Sequence, residues 1–308
     1  MSRTAALAGA SGFLGARLAE RMIAGGWRVR ALIRRSADGE ALQAIGAETV
    51  MGDLADAVSL ARLTDGAAVS VNCAGLIKAR NDADFLAVNR DGAACFAAAA
   101  PGRVIHVSSL AARSPELSDY AASKRAGEAA AREAAGTRLA IARPPVIYGP
   151  RDRETLALFR LAMKAPLAPI PARPAARLAL AHVDDAAEAI IDLMERPELA
   201  GVYAIGGDRP AGYAWGEIID AAFAAVGRRA PPAQVPAWSL RLAALVSEVA
   251  ASLRGRPAVF TRGKAREMLH DDWSVRPDEI FPGAPRARFP LAAGFADAVG
   301  WYRRAGWL

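Results

Sequence analysis

Short apolar runs alternate with segments of helical periodicity over the first half of the chain. Six runs between Thr4 and about Arg143 are nearly continuous in hydrophobic residues, as strands buried on both faces are: TAALAGA, WRVRALIRR, AETVMGD, AAVSVNCAG, GRVIHVSS and TRLAIARPP. Between them, segments such as FLGARLAERMIAGG and SDYAASKRAGEAAAREAAG repeat apolar residues at helical spacing. This alternation predicts a doubly wound α/β fold, in which helices cover both faces of a parallel sheet.

The pattern changes after Gly149, where prolines at 150, 166, 169, 171 and 174 interrupt it. The segments LALAHV, DDAAEAIIDLMERP and GVYAIGG still follow the strand and helix pattern, whereas the rest of the C-terminal part is discontinuous. We predict a Rossmann domain over residues 1–150, with 178–206 adding further sheet and helix elements. Residues 151–177 and 207–308 then form a smaller, substrate-binding lobe.

Composition argues against several classes of protein. No apolar run reaches the roughly 18 residues of a membrane span, and glycines break the N-terminal apolar stretch, so we expect a cytoplasmic protein without a transmembrane segment. The formal net charge is +7, but the basic residues are scattered and not interleaved with aromatics, so nucleic acid is not an expected partner. Cys73 and Cys95 stand in apolar segments without metal-ligand spacing, so we expect buried free thiols, no disulfide and no metal site.

Gly9, Gly12 and Gly15 follow the first predicted strand and begin the first helix. Glycines in this position permit a tight turn and let backbone N–H groups approach a pyrophosphate, which the helix N-terminus also attracts. NAD sites usually carry an acidic residue at the end of the second strand, but Arg34 and Arg35 stand there in this chain. Because guanidinium groups pair with a 2′-phosphate, the sequence predicts NADP(H), with NAD as the alternative cofactor. The alternative interpretation is that the two arginines are solvated residues of a loop and bind no phosphate.

A tyrosine and a lysine stand four positions apart in the segment YAASK, which follows the fifth predicted strand. Tyr120 and Lys124 therefore share one helix face, and Ser118 is placed to cap that helix. A free tyrosine titrates near 10, and a neighbouring ammonium lowers that pKa by stabilising the phenolate. Ser108 and Ser109 end the fifth strand, where ligands bind in such folds, so one of the two hydroxyls can hold a substrate carbonyl.

A longer series of motifs resembles the short-chain dehydrogenase/reductase superfamily, in its extended, NAD-dependent epimerase/dehydratase-like branch. The matching motifs are GASGFLG at 9–15, GDL at 52–54, NCAG at 72–75, VNRDG at 88–92, VSS at 107–109, YAASK at 120–124, RPPVIYGP at 143–150 and HVDDAAEAI at 182–190. The resemblance implies an enzyme that transfers a hydride between NAD(P)(H) and a ketone or secondary alcohol. It also implies a homodimer formed through the two helices that flank the fifth strand.

The resemblance further assigns roles to individual residues. Tyr120 is the general acid/base, Lys124 lowers its pKa and binds the nicotinamide ribose, and Ser109 polarises the carbonyl, with Ser108 as its rival. The implied cofactor site comprises Gly9, Ser11, Gly12, Phe13, Leu14, Gly15, Arg34, Arg35, Asp53, Leu54, Cys73, Ala74, Gly75, Asn89, Tyr120, Lys124, Pro144 and Val146. Asp53 can instead cap a helix, and Asn89 can instead bond to nearby backbone.

Departures from the family pattern indicate the class of substrate. Members that act on nucleotide sugars often carry Arg and Asp just before the HVDD strand, where this chain has Leu178 and Ala179, with Arg177 one residue out of register. They also often carry an acidic residue two places after the serine, where this chain has Ala111. The C-terminal segments resemble instead the branch of hydroxysteroid dehydrogenases and dihydroflavonol reductases, which favours an apolar ketone or alcohol. A nucleotide-sugar epimerase or dehydratase is the first alternative, and a non-catalytic NADP(H)-binding sensor or structural subunit is the second.

The segment AWSLRLAALVSEVAASL, at 237–253, carries leucine and valine at helical spacing. Such a stripe is typical of a helix that faces the protein core, which is the interpretation we favour. The alternatives are that the segment lines an apolar pocket or touches a membrane surface.

Overall fold

The structure is a computed structural model that describes residues 3–254, 258 and 260–308. The strands are β1 (Thr4–Ala8), β2 (Arg28–Ile33), β3 (Glu48–Met51), β4 (Val69–Asn72), β5 (Arg103–Val107), β6 (Leu139–Arg143), β7 (Val146–Tyr148), β8 (Ala168–Pro171), β9 (Arg177–Leu178), β10 (Leu180–His182), β11 (Gly201–Ala204), β12 (Pro232–Val235) and β13 (Asp272–Trp273). The helices are α1 (Phe13–Ala24), α2 (Ala37–Ala44), α3 (Ala57–Thr64), α4 (Asp82–Leu86), α5 (Gly92–Ala99), α6 (Asp119–Ala135), α7 (Leu156–Lys164), α8 (Val183–Met194), α9 (Trp215–Ala225), α10 (Ala237–Ser252), α11 (Arg262–Met268) and α12 (Leu291–Arg304).

Seven parallel strands form the central sheet, in the order β11-β6-β5-β4-β1-β2-β3. The predicted doubly wound fold is therefore confirmed. Strands β1 and β4 lie side by side, with Ala5 opposite Val69, so the strand order reverses between them. In open α/β sheets, ligands bind at the carboxyl ends of the strands on either side of such a reversal.

The chain divides into two compact units. The first comprises Met1–Pro144, Ala187–Ala204 and Phe281–Pro285, and the second comprises Pro145–Ala186, Ile205–Ile280 and Arg286–Leu308. The first unit contains the central sheet. The second contains three parallel strand pairs, β7 with β10, β8 with β12 and β9 with β13. The functional domains predicted from the sequence, with a boundary at residue 150, stay a prediction.

Each unit has its own apolar core. In the first, Leu60 of α3 and Phe96 of α5 pack with small and aliphatic side chains of the sheet. In the second, the rings of Tyr148 and Phe159 both meet Phe295 edge to face, at 4.9 and 5.1 Å between centroids. Such aromatic pairs contribute about 0.5–1.5 kcal/mol each beyond the area they bury, so they add to the stability that the aliphatic side chains of this core supply.

The favoured interpretation of α10 as a core-facing helix is wrong. Of its residues, all of which the structure describes, Ala244 alone is buried, whereas the Trp238 side of the helix is exposed. The helical spacing was interpreted correctly, but spacing does not determine whether an apolar face meets protein. Within the described part of the chain, no helix is long and apolar enough to cross a membrane.

The expectation of two buried thiols is also wrong. Cys95 is exposed, because α5 turns Ala93, Phe96 and Ala97 inward and leaves Cys95 on its outer side. Cys73 is half-buried, and both thiols are free.

Candidate active site

The turn between β1 and α1 carries the three glycines. Gly9 has a φ of 80°, a conformation that other residues rarely adopt, and a Cβ there would lie 2.5 Å from the backbone nitrogen of Ala74. A Cβ on Gly15 would overlap the carbonyl oxygen of Gly9. No described side chain caps the N-terminus of α1 at Phe13, so its first N–H groups remain available to an anion. The turn therefore fits the pyrophosphate of a dinucleotide. Of the other residues predicted here, Ser11 and Gly12 are exposed and Leu14 is buried.

Arg34 and Arg35 follow β2 and are both exposed. The Nε and Nη2 groups of Arg35 donate to the carboxylate of Asp38, near the start of α2, at 3.1 and 2.7 Å. This contact holds the pKa of Asp38 below its usual value. Because the guanidinium of Arg35 is already paired with Asp38, Arg34 is the stronger candidate for a cofactor 2′-phosphate.

Asp53 and Leu54 follow β3 at the same edge of the sheet. Asp53 Oδ1 accepts a hydrogen bond from the backbone N–H of Ala55 at 3.0 Å. The cap of α3 is instead Asp56, whose Oδ1 accepts from the N–H of Val58. The alternative interpretation of Asp53 as a helix cap is therefore wrong. Leu54 is buried in the core of the first unit.

The segment 73–75 continues β4 past the edge of the sheet. The N–H of Cys73 donates to the carbonyl oxygen of Ala8, the last residue of β1, at 3.0 Å. The backbone of Cys73 and Ala74 is also what a Cβ on Gly9 would meet. Strand pairing thus brings this segment into contact with the glycine turn.

Asn89 lies in a π-helical turn, Ala87–Asp91, between α4 and α5. Its Oδ1 accepts from the N–H of Leu76 at 2.8 Å, and its Nδ2 donates to the carbonyl of Leu76 at 3.0 Å and to Ser123 Oγ at 2.9 Å. These partners lie on the loop after β4 and on α6 rather than on the backbone near Asn89. The side chain therefore ties three segments together beside the predicted reaction centre.

Ser108 and Ser109 lie directly after β5. Ser109 is half-buried, and its Oγ accepts from the N–H of Ala111 at 3.1 Å. Accepting uses a lone pair, so the hydroxyl can still donate to a carbonyl. Ser108 is buried, and its hydroxyl has no hydrogen-bond partner among the described residues. The greater exposure of Ser109 favours it, although its catalytic role stays a prediction.

Helix α6 begins as its sequence predicts, because Ser118 Oγ accepts from the N–H of Ala121 at 3.0 Å and caps it. Tyr120 lies in the first turn and is half-buried. Its ring centre lies 6.3 Å from that of Phe85 in α4. The helix cap and this aromatic contact position the tyrosine at the start of α6.

Lys124 lies one turn further along α6 and is buried. Its Nζ donates to the carbonyl oxygen of Val107, the last residue of β5, at 2.8 Å. A Cβ on Gly75 would lie 3.5 Å from this Nζ and 3.2 Å from Oδ1 of Asn89, so the lysine reaches the segment after β4. Burial lowers the pKa of Lys124 to about 8. A buried ammonium on the same helix face as a tyrosine can lower the pKa of that tyrosine.

Glu128 and Arg143 form a buried ion pair that sequence reasoning missed. The guanidinium of Arg143, at the end of β6, donates to both carboxylate oxygens of Glu128 at 2.7 and 2.5 Å. The side chain of Arg143 is 12% exposed and that of Glu128 is 4% exposed. Pro144 follows, and its carbonyl accepts from the N–H of Leu110 at 2.8 Å. The pair fastens α6 to β6. The two residues lie 15 positions apart on different elements, so no local spacing in the sequence signals the pair.

His106, in β5, is a further titratable group close to Lys124. It is buried, with its Nδ1 3.5 Å from Nδ2 of Asn72. Burial and, to a smaller extent, the charge of Lys124 lower its pKa to about 3. The imidazole is therefore neutral at physiological pH.

The parallel sheet brings most of the predicted site residues to one edge. The glycine turn, the segment 73–75, the serine pair and Pro144 follow the neighbouring strands β1, β4, β5 and β6, and Lys124 reaches this edge from α6. Val146 begins β7, in the second unit, and is 45% exposed. Its place in the cofactor site stays a prediction.

Comparison with known proteins identifies a family and two informative relatives. The family model of the NAD dependent epimerase/dehydratase family matches residues 5–206. A ceramide reductase of Caulobacter vibrioides is 44% identical over 306 residues, which are 98% of this chain and 95% of the relative. A 4-hydroxy-2-methyl-3-oxo-4-farnesyl-3,4-dihydroquinoline-1-oxide ketoreductase of Stigmatella aurantiaca is 36% identical over 108 residues, 33% of this chain and 32% of the relative.

A solved structure shares the fold over nearly its full length. It is a double mutant of DesIV, a dTDP-glucose 4,6-dehydratase from Streptomyces venezuelae, with NAD and DAU bound. The TM-score is 0.74 at 22% identity, with 99% of this chain and 98% of that chain covered. At this identity the likeness establishes the architecture alone.

Proposed function

The chain belongs to the NAD dependent epimerase/dehydratase family, and we propose that it reduces a ketone on a ceramide-like lipid with NADPH. Its general activity is that of an oxidoreductase, which transfers a hydride between a nicotinamide cofactor and a ketone or secondary alcohol. The proposal of a lipid substrate is supported by the 44% identity to a ceramide reductase over 98% of this chain. That match includes both compact units, and therefore every segment that would recognise a substrate.

Tyr120 is the proposed acid of the reduction. When bound, the nicotinamide cofactor supplies the hydride. The Tyr120 hydroxyl donates its proton to the carbonyl oxygen of the substrate, which becomes the hydroxyl of a secondary alcohol. Lys124 stabilises the tyrosinate that remains, and Ser109 donates a hydrogen bond that holds the same oxygen close to Tyr120.

The carboxyl edge of the sheet would hold the cofactor. The backbone between Gly9 and Gly15 would bind the pyrophosphate, and Lys124 would bind the nicotinamide ribose. Asp53 and the segment 73–75 would lie beside the adenine. The proposed preference for NADPH rests on Arg34, whose charge suits a 2′-phosphate.

The surroundings of β9 support an apolar substrate over a nucleotide sugar. Leu178 and Ala179 are 7% and 1% exposed, so they belong to the core of the second unit. Arg177 donates to the carbonyl oxygens of Pro174 and Ala176 at 3.2 and 2.9 Å. Its guanidinium is thus used within its own loop, which leaves it poorly placed for a sugar diphosphate.

Two further proposals come from the sequence. The family resemblance implies a homodimer that forms through α5 and α6, and the pattern of apolar runs favours a cytoplasmic location. Sedimentation velocity over a range of protein concentrations tests the dimer, and cell fractionation tests the location.

A substrate panel tests the proposed function directly. Oxidation of NADPH is followed with a ceramide ketone, a short water-soluble ketone and a nucleotide sugar, and products are identified by mass spectrometry. We expect the ceramide ketone to be converted to a secondary alcohol, with one NADPH oxidised for each alcohol formed. Turnover of the nucleotide sugar, without turnover of the lipid ketone, would contradict the proposal.

A further inference from the structure

One face of α10 is apolar and exposed. Helical spacing places its large side chains within an arc of about 100°, the width of an ordinary core-facing stripe. The exposed fractions run from 45% at Leu245 to 84% at Leu253, which directly follows the helix. We call this surface the α10 apolar face, and its members are Trp238, Leu242, Leu245, Val246, Val249 and Leu253.

The opposite side of α10 is the side attached to the protein. Ala244 is buried there, and Ser247 Oγ accepts from the N–H of Phe260 at 3.3 Å. The carboxylate of Glu248 accepts from the N–H and the Nε of Arg262, both at 2.7 Å. The helix is therefore held in place by its polar side, and this attachment directs the apolar face outward.

We propose that the α10 apolar face docks the protein on the surface of an anionic lipid bilayer. The inference rests on the proposed function, because the hydrocarbon chains of a ceramide-like substrate keep it in a bilayer rather than in water. Trp238 lies at one end of the face, and an indole with an apolar body and a polar N–H suits the boundary between lipid and water.

The charges around the face favour a bilayer over a second copy of the chain. Arg241 directly precedes Leu242 in α10 and Arg254 directly follows Leu253, and both arginines are exposed. The single acidic residue of α10, Glu248, is already paired with Arg262. Anionic head groups attract such arginines, whereas a second copy would bring the same positive charges together. A helix with this distribution lies in the plane of the interface and is not inserted across it.

Vesicle flotation of the full-length protein tests the proposal. We expect wild type to float with vesicles of phosphatidylcholine and phosphatidylglycerol, and to float less with phosphatidylcholine alone or at high salt. The triple variant Leu242→Gln, Val246→Gln, Val249→Gln should lose at least tenfold in partitioning onto the anionic vesicles. An unchanged melting temperature shows that the variant is folded.

A matched pair of single variants controls for the loss of any exposed valine. Val246 in α10 is 60% exposed, and Val58 in α3 is 70% exposed. Val246→Gln should weaken partitioning about threefold, whereas Val58→Gln should leave it unchanged. Equal effects of the two substitutions, or equal flotation of wild type and the triple variant, would overturn the proposal.

Two measurements separate this proposal from its rivals. If wild type is a dimer in sedimentation velocity, does not float, and becomes a monomer in the triple variant, the face is a self-association surface and the proposal is wrong.

Turnover of a short water-soluble ketone should be the same in wild type and the triple variant. If wild type floats but reduces no lipid ketone, the proposed function fails and the docking surface stands. If it reduces the lipid ketone in detergent but does not float, the docking surface fails and the function stands.

Discussion

Two buried ionisable side chains, Lys124 and Glu128, lie one turn apart on α6, and they differ in their hydrogen-bond partners. Glu128, 3% exposed, meets two N–H groups of Arg143 at 2.7 and 2.5 Å. Lys124, 5% exposed, donates to the carbonyl oxygen of Val107, and burial lowers its pKa to about 8. None of the ion pairs found among the described residues includes Lys124.

The difference separates a charge that holds the fold from a charge suited to chemistry. A bidentate pair satisfies both charges of Glu128 and Arg143, which joins a helix to a strand. Burial lowers the pKa of an ammonium that has no opposite charge in contact. The pKa of Lys124 is about 8 for this reason, so modest changes in its surroundings or in pH alter its charge. Perturbed groups of this kind are concentrated at functional sites.

Arg143→Met gives the largest expected effect, and it is an effect on stability. The substitution removes both hydrogen bonds to the buried carboxylate of Glu128 and leaves it only the longer contact with Arg125, at 3.7 Å. We expect a loss of about 3–5 kcal/mol of unfolding free energy. Urea unfolding measures the change. The double variant Glu128→Leu, Arg143→Met should recover most of the loss, because it removes both charges. A loss below about 1 kcal/mol in the single variant would mean that the pair is not structural.

Tyr120→Phe and Lys124→Met should affect the rate instead. Each should lower turnover at least a hundredfold, the scale of general acid/base catalysis, without lowering the melting temperature. Lys124→Met should also weaken cofactor binding, whereas Tyr120→Phe and Ser109→Ala should not. Steady-state kinetics, fluorescence titration and thermal unfolding measure the three quantities. Near wild-type turnover in a folded Tyr120→Phe enzyme would contradict the proposed role of Tyr120.

A similar contrast between a paired and a neighbouring charge, Arg35 and Arg34 on the surface, predicts which residue determines the cofactor preference. Arg35 is paired with Asp38, so Arg34→Ala should weaken NADPH binding more than Arg35→Ala does. Wild type should bind NADPH at least tenfold more tightly than NADH, a ratio that charge contact with a phosphate can supply. The double alanine variant should lose that preference and keep its affinity for NADH. Equal dissociation constants for the two cofactors in wild type, at fixed salt, would show that the arginines are solvated loop residues.

The pH dependence of reduction should show the smallest effect. Burial places the pKa of Lys124 at about 8, so the ammonium loses its proton as the pH rises through that value. Turnover should therefore fall to about half its plateau near pH 8 and continue to fall at higher pH. Initial rates at saturating substrate, from pH 6.5 to about 9, measure the profile. Constant turnover over that range would mean that the charge of Lys124 does not support the reaction.

Local patterns were sufficient for much of the site. The alternation of apolar runs and helical segments predicts the parallel sheet, because it reflects burial on both faces of each strand. The cap at Ser118 and the turn at Gly9 also depend on a few neighbouring residues, so their sequence signals are direct. Cys95 shows the limit, since an apolar segment does not reveal which of its residues faces outward.

The sequence by itself determined the order of elements, the glycine turn and the shared helix face of Tyr120 and Lys124. Only the tertiary structure decided that Val107 receives the lysine, that Arg143 neutralises Glu128, and that α10 directs its apolar face outward. The physical reason is the range of the interactions. Periodicity and capping act within a few residues, whereas the partner of a buried charge and the neighbour of a helix face come from segments that are distant in the chain.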